Sequence, residues 1–142
     1  MIRFFEKNDY EAIYSLGEML HVNYRNLYKL NEVAEDSYSN VLVATEDNQV
    51  VGFLMYVKLI DSVDIVDIVV SPTKRRNKIG SRLINYLISE LDETTKVITL
   101  EVSVDNEAAI SLYDRFGFEI VHKRPNYYGN KDAYLMGRVI DE

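Results

Sequence analysis

A strand–helix–strand pattern in the middle of the chain constrains the fold more than any other feature. Ser62–Val70 is a β-rich run, and residues 96–104 form a second one. Between them, apolar residues recur at helical spacing over 79–91 and share one face. Such a unit packs helices against a sheet. The chain is therefore predicted to be an α/β (α+β) protein with a mixed sheet.

The flanking segments supply further strands and helices, so that helices are expected on both faces of the sheet. A polar turn at 46–49 predicts a hairpin, and Gly117 has the left-handed position that commonly ends a helix. Asn8 or Asp9 is predicted to cap the first helix. The other predicted elements are a strand over 2–5, a first helix with Ile13, Leu16, Met19 and Leu20 on its apolar face, an irregular helix within 22–39, strands over 41–44 and 50–59, a helix over 106–116, and strands over 118–122 and 133–139.

Composition narrows the classes of function. The 142 residues fit a single domain, 1–142. The chain has no cysteine, which excludes disulfides, thiolate metal sites and a cysteine nucleophile. His21 and His122 are the only histidines and lie far apart, so no metal site is predicted.

The net charge and the N-terminal residues indicate which partners and which cellular location to expect. A net charge of −7 argues against nucleic-acid binding and fits a cationic substrate, although solubility alone explains it equally well. No apolar run is long enough to span a membrane, and the first residues are too charged for a secretory signal. We expect a cytoplasmic protein without membrane contact, as a monomer or homodimer.

The loop over 69–80 has the composition of an anion site. Pro72 ends the preceding strand because it cannot donate to a ladder, and four of the next six residues are basic. Gly80 then lies in the first helical turn, where a glycine costs stability. The free N–H groups and the dipole of a helix start bind diphosphates well. A solvated basic helix start is the plainer alternative.

Two spaced motifs resemble the GNAT superfamily of acetyl-CoA-dependent N-acetyltransferases. RRNKIG at 75–80 matches its signature Gln/Arg-x-x-Gly-x-Gly/Ala, except that Lys78 stands where the family has its first glycine. Lys78 can still offer its N–H to a phosphate if its φ is negative. LEV at 100–102, NEAAISLY at 106–113, GF at 117–118 and RPNYY at 124–128 resemble the branch that acetylates protein N-termini, especially the RimI type.

This resemblance, which runs over residues 50–137, implies both a fold and a reaction. The fold is a mostly antiparallel, mixed sheet of about seven strands with helices on both faces. The reaction moves an acetyl group from acetyl-CoA to a primary amine, most closely a protein N-terminal α-amine, without a metal. The strand backbone before the loop is expected to pair with the pantetheine arm and to stabilise the oxyanion. The residues expected to bind the cofactor are Ile68, Val69, Val70, Arg75, Arg76, Asn77, Lys78, Ile79, Gly80, Ser81 and Asn106.

The second motif supplies the expected catalytic groups. Glu101 is expected to take the proton of the amine, and Tyr113 to donate to the leaving thiolate. Asn106 and Tyr113 are seven residues apart, which places them on one helical face. Asp64 is a competing base, because histone-type members carry a glutamate there. Otherwise Asp64 and Asp67 are expected to be solvated or to face the substrate.

The acceptor is open at this point. Tyr127 and Tyr128 are expected to hold the first residues of a peptide acceptor, as in the N-terminal branch, or simply to pack on the sheet. The RimI type usually has a Pro-Trp segment in its N-terminal region, whereas this chain has no Trp and only Pro72 and Pro125. The alternatives are an acetyltransferase for a small amine (polyamine, amino acid or drug) and a catalytically idle CoA-binding module.

Overall fold

The computed structural model describes residues 1–126 and 131–140, and of residues 75–77 it describes the backbone alone. This part of the chain contains seven strands, five α-helices and two 3₁₀ segments. In chain order they are β1 Ile2–Phe4, the 3₁₀ segment Lys7–Asp9, α1 Tyr10–Gly17, α2 Tyr24–Leu27, α3 Leu30–Glu35, β2 Ser39–Glu46, β3 Gln49–Lys58, β4 Ser62–Val70, the 3₁₀ segment Pro72–Asn77, α4 Ile79–Ser89, β5 Val97–Ser103, α5 Glu107–Arg115, β6 Glu119–Arg124 and β7 Ala133–Val139.

All seven strands belong to one sheet, in the order β1-β2-β3-β4-β5-β7-β6. β4 and β5 pair in parallel, from Ser62 opposite Val97 to Ile65 opposite Leu100. The β1–β2, β2–β3, β5–β7 and β6–β7 pairs are antiparallel. The predicted mixed, mostly antiparallel sheet is confirmed.

The chain divides into two compact units. Unit 1 comprises Met1–Val57 and Asp67–Leu91, and unit 2 comprises Lys58–Val66 and Asp92–Glu142. β4 contributes its first five residues to unit 2 and its last four to unit 1. That the chain is a single domain stays a prediction.

Unit 1 is built on the β2–β3 hairpin. Asp47 and Asn48 both have positive φ, 52° and 63°, at the tip between the paired residues Glu46 and Gln49. Asp and Asn tolerate this left-handed region, and two such residues match the twist of a tight hairpin. The preference of Asp47 and Asn48 for this conformation therefore explains why the predicted polar turn forms here.

Helices cover both faces of β3 within unit 1. The Phe53 ring lies 6.0 Å from the Tyr24 ring of α2, centroid to centroid. The preceding residue, Gly52, faces the other way, where an added Cβ would lie 3.2 Å from Ile79 of α4. Successive residues of a strand face opposite sides of the sheet, so α2 and α4 pack on opposite faces.

Unit 2 is organised around β5. Ile98, Leu100 and Val102 are buried on one face, while the alternate residues, including Glu101, are only partly buried on the other. α5 begins at the predicted place and ends before Gly117, whose φ of 85° gives the expected left-handed position.

The first helix differs from its prediction. Asp9 directly precedes α1 but makes no side-chain cap, because its carboxylate accepts two hydrogen bonds from Arg3 and one from the Glu6 N–H. α1 ends at Gly17, so Met19 and Leu20 lie outside it and are about half exposed (48% and 46%) rather than part of its apolar face. No helix of the described residues is long and apolar enough to cross a membrane.

Candidate functional site

The loop before α4 carries an unexpected backbone conformation. Lys78 has φ 60° and ψ 28°, in the left-handed region, between the 3₁₀ segment and the helix. The condition of a negative φ, under which Lys78 was expected to offer its N–H to a phosphate, is therefore not met. A glycine adopts this region at little cost, whereas a side chain makes it unfavourable, which explains why the family signature has a glycine there.

The start of α4 presents backbone donors that have no acceptor within the helix. The N–H of Arg82 makes the first bond of the helix, to the Lys78 carbonyl at 3.0 Å. The N–H groups of Ile79, Gly80 and Ser81 precede that bond, so they have no acceptor within α4 itself. With the positive end of the helix dipole, they suit a diphosphate. Arg75, Arg76 and Asn77 were also expected to bind the cofactor, but their side chains lie outside the described part of the chain.

Close packing fixes the position of this helix start in unit 1. Ile79 is fully buried, and a Cβ on Gly52 would lie 3.1 Å from the Val69 carbonyl as well as 3.2 Å from Ile79. The Ser71 N–H donates to the Val51 carbonyl at 2.8 Å, so β3 holds the end of β4 just before the loop. Only a glycine at position 52 allows this approach without displacement.

Glu101 in unit 2 has one paired and one unpaired carboxylate oxygen. Oε1 lies 3.2 Å from Nε of Arg124, on β6. Oε2 is buried and has no hydrogen-bond donor among the described residues. A buried acceptor without a partner is costly, so Oε2 is a position at which an incoming donor is favoured.

Asp64 lies on the same face of unit 2. Thr99, the cross-strand neighbour of Asp64, donates from Oγ1 to Asp64 Oδ1 at 3.0 Å. Thr99 and Glu101 alternate with buried residues along β5, so both carboxylates belong to one face. Burial raises the pKa of Asp64, and the bond from Thr99 opposes that shift. Glu101 and Asp64 therefore both remain candidates for the base, and they share one face of the sheet.

The remaining predicted residues have mixed surroundings. Tyr113 is buried, 5% exposed, and its ring lies 5.7 Å from that of Phe118. Asn106 caps α5, since its Oδ1 accepts from the Ala109 N–H at 3.2 Å. Tyr127 and Tyr128 lie outside the described residues.

Two side-chain contacts were not predicted from the sequence. Arg124 belongs to the recognised RPNYY segment, but only the β6–β7–β5 pairing shows that it reaches Glu101. Asp67, which is expected to be solvated or substrate-facing, accepts a hydrogen bond from the fully buried Tyr24 at 2.9 Å. The 43 residues between these partners leave no local signal for the pair.

Known proteins resemble this chain in sequence and fold. The sequence profile of the acetyltransferase (GNAT) family matches residues 4–118. The ribosomal protein bS18-alanine N-acetyltransferase of Salmonella typhimurium is 38% identical over 101 residues, 67% of this chain and 68% of the relative. The protein of that name from Haemophilus influenzae is 30% identical over 137 residues, 92% of each chain.

A solved structure agrees with these sequence matches. The crystal structure of the ribosomal-protein-S18-alanine N-acetyltransferase from Escherichia coli superposes with a TM-score of 0.85 at 26% identity, covering 100% of this chain and 94% of that one. The expected GNAT fold and RimI-like resemblance are confirmed. This chain therefore belongs to the GNAT acetyltransferase family and is an acetyl-CoA-dependent N-acetyltransferase.

Proposed function

We propose that this N-acetyltransferase modifies the α-amine of a protein or peptide N-terminus in the cytoplasm. Its relatives are named for an alanine of ribosomal protein bS18, which makes a ribosomal protein the first acceptor to test. The observation that carries the proposal is the buried, unpartnered Oε2 of Glu101, an acceptor suited to the proton that the attacking amine must lose.

The proton balance favours an α-amine over a lysine side chain. Only the neutral amine attacks a thioester, and an α-amine with an ordinary pKa of about 8 is partly neutral at pH 7. A lysine amine, at about 10.4, is almost wholly protonated. Glu101 accepts the proton released in the attack, directly or through one water, while Arg124 holds its other oxygen.

Tyr113 is proposed to assist the leaving group. The thiol of coenzyme A and the tyrosine hydroxyl have ordinary pKa values of about 8.5 and 10, so complete proton transfer to the thiolate is slightly uphill. Tyr113 therefore acts as a hydrogen-bond donor whose contribution grows as charge develops on sulfur. Its burial against Phe118 restricts the ring, which favours a fixed donor position.

The backbone of unit 1 fits the cofactor. The N–H groups of Ile79, Gly80 and Ser81 at the start of α4, after the left-handed Lys78, suit the diphosphate. Acetyl-CoA supplies the acyl group as an activated thioester. Ile68 to Val70 are proposed to pair with the pantetheine arm, with an N–H of Val69 or Val70 on the oxyanion. In support, the β4–β5 ladder ends at Ile65, although β4 continues to Val70. Asn106 remains a proposed cofactor contact.

Turnover on matched acceptors tests this function. We would measure release of coenzyme A with peptides that have a free N-terminus, with the same peptides blocked at the N-terminus but carrying a lysine, and with a polyamine, an amino acid and an aminoglycoside. Turnover confined to the free N-termini is expected. Turnover on the small amines alone, or on none of the acceptors, would overturn the proposal.

A further inference from the structure

A carboxylate in unit 1 is held in place by a buried tyrosine. The hydroxyl of Tyr24 donates to Oδ2 of Asp67 at 2.9 Å, and Tyr24 is fully buried in α2. Its ring packs on Phe53, and Gly17 leaves room for it, since a Cβ at Gly17 would lie 2.6 Å from Tyr24 Cε2. The ring of His21 lies nearly parallel to that of Tyr24, with centroids 6.4 Å apart. Packing therefore fixes the orientation of Oδ2.

The second oxygen of Asp67 is left for a ligand. Oδ1 accepts no hydrogen bond from any described residue, and no described lysine or arginine forms an ion pair with this carboxylate. The residue is nevertheless partly exposed, so Oδ1 can be approached from solvent. An anion with one fixed oxygen, one open oxygen and no paired cation is suited to bind a cation.

The local environment disfavours the charge. Burial raises the pKa of Asp67 to about 6, and the hydrogen bond from Tyr24 and the charge of His21 only partly oppose that shift. Among the described residues, Tyr24 and His21 are the titratable groups that act on this carboxylate. An asparagine would accept the same hydrogen bond from Tyr24 without burying a charge, so the tie between α2 and β4 does not by itself explain an aspartate.

We propose that Asp67 binds a second positive charge on the acceptor, a group separate from the amine that reacts, in a role that rests on the proposed function. Its position on β4 supports this assignment. Asp67 directly precedes Ile68–Val70, the segment proposed for the pantetheine arm and the oxyanion. Two residues along a strand span about 7 Å, which is the separation of Asp67 from Val69, a residue proposed for the oxyanion. The second charge is therefore expected at roughly that distance from the reacting centre. A basic side chain near a peptide N-terminus has this reach.

A pair of peptides that differ in one charge tests the assignment. One peptide has a free N-terminal alanine and lysine as its second residue, and the other has acetyl-lysine there. Wild-type enzyme is expected to show a KM about tenfold lower for the lysine peptide, the effect of one charge-assisted hydrogen bond. Asp67→Asn should remove that preference without changing the KM for acetyl-CoA. Glu35→Gln, an exposed acid of unit 1, is the matched control and should keep it.

A measurement on the wild-type protein tests the same assignment without relying on a variant that folds. Carbon-13 NMR of the Asp67 carboxyl should show its pKa falling when the lysine peptide is added, because a bound cation favours the anion, and no change with the acetyl-lysine peptide. Equal KM values for the two peptides, a preference that survives in Asp67→Asn, or a pKa unmoved by the lysine peptide would each overturn the assignment.

Assays with small amines distinguish a failure of this assignment from a failure of the proposed function. If peptides with free N-termini are acetylated but the charge preference ignores Asp67, the assignment fails and the proposed function stands. If no peptide is acetylated while 1,5-diaminopentane is preferred over pentylamine in an Asp67-dependent manner, the proposed function fails and the assignment stands.

Discussion

At the scale of single residues, two carboxylates occupy contrasting surroundings. Glu101 has a cationic partner on one oxygen and a buried, unpartnered second oxygen. Asp67 has a neutral donor on one oxygen and an open second oxygen. Both residues were visible in the sequence, but their partners Arg124 and Tyr24 come from distant segments. Sequence patterns therefore indicated the acids and not the contacts that define their roles.

Replacing the proposed base should make turnover depend on the protonation of the acceptor. Glu101→Gln keeps the shape of the side chain but cannot accept the proton, so kcat should fall at least about 100-fold at pH 7. The loss should shrink towards pH 9, where an α-amine is already neutral. The pH profile of kcat on a free-N-terminal peptide measures this, with Asp64→Asn as the matched control. Wild-type turnover in Glu101→Gln would exclude it as the base.

Removing the charge of Asp67 should stabilise the fold at neutral pH. Its pKa is about 6 in the folded protein and ordinarily 3.8, so the folded state binds more protons between these values and loses stability as pH rises through them. Asp67→Asn escapes this loss and should be more stable by up to about 3 kcal/mol at pH 7. Urea unfolding at pH 7 and below pH 4 checks this, and a difference between variant and wild type that is the same at both pH values would contradict it.

At the scale of elements, the sequence located nearly every helix and strand, while the loops needed the structure. The 62–70 and 133–139 strands have the predicted bounds. β-branched residues dominate the first of them, where they favour a strand. The first helix is shorter than predicted, since it ends at Gly17, before Met19 and Leu20. At its start, Asp9 binds Arg3 instead of capping the helix. The loop before α4 was recognised from its charges. The left-handed conformation of Lys78 could not be predicted, because lysine has no local preference for positive φ.

A side chain at position 52 should disturb the start of α4. The Cβ of Gly52→Ala would press on the Val69 carbonyl at 3.1 Å, and backbone cannot rotate away as a side chain can. We expect a loss of about 1–3 kcal/mol in unfolding free energy and weaker binding of acetyl-CoA. Gly137→Ala is the matched control, because its Cβ would meet neighbours at 3.5 Å or more. Urea unfolding and calorimetry measure both variants; equal effects would contradict the role of Gly52.

Restoring the family glycine at position 78 should relieve backbone strain. Lys78→Gly removes the Cβ from a left-handed residue and is expected to gain about 1 kcal/mol, whereas Lys78→Ala keeps the Cβ and should gain nothing. Both variants lack the ammonium group, so the difference between them isolates the backbone. Urea midpoints that match in the two variants would show that this conformation carries no strain.

At the scale of the whole molecule, the order of the strands in the sheet could not be predicted from the sequence. β7, the last strand in the chain, inserts between β5 and β6 and places Leu135 opposite Glu101. Local patterns predicted the strands but contain no information on which edges meet. The family resemblance supplied the fold class, and the comparisons with known proteins confirmed it.

Binding of acetyl-CoA should stabilise the folded chain as a whole. A ligand that binds only the folded state at 100 times its Kd adds about 2.7 kcal/mol, which raises the thermal midpoint by several degrees. Pantetheine, which lacks the diphosphate, is the matched control and should give a much smaller rise if the helix start of α4 is the main anchor. Equal shifts with the two ligands, measured by calorimetry, would place the anchor elsewhere.

The space that Gly17 leaves for the Tyr24 ring has an effect on how this enzyme responds to random mutagenesis. Any larger residue at position 17 collides with that ring and displaces the hydroxyl from Asp67. Screening a library for altered acceptor preference should therefore recover substitutions at position 17, although a glycine has no side chain with which to touch an acceptor. A selectivity map drawn from such a screen would assign to the end of α1 an effect that originates in the β4 carboxylate.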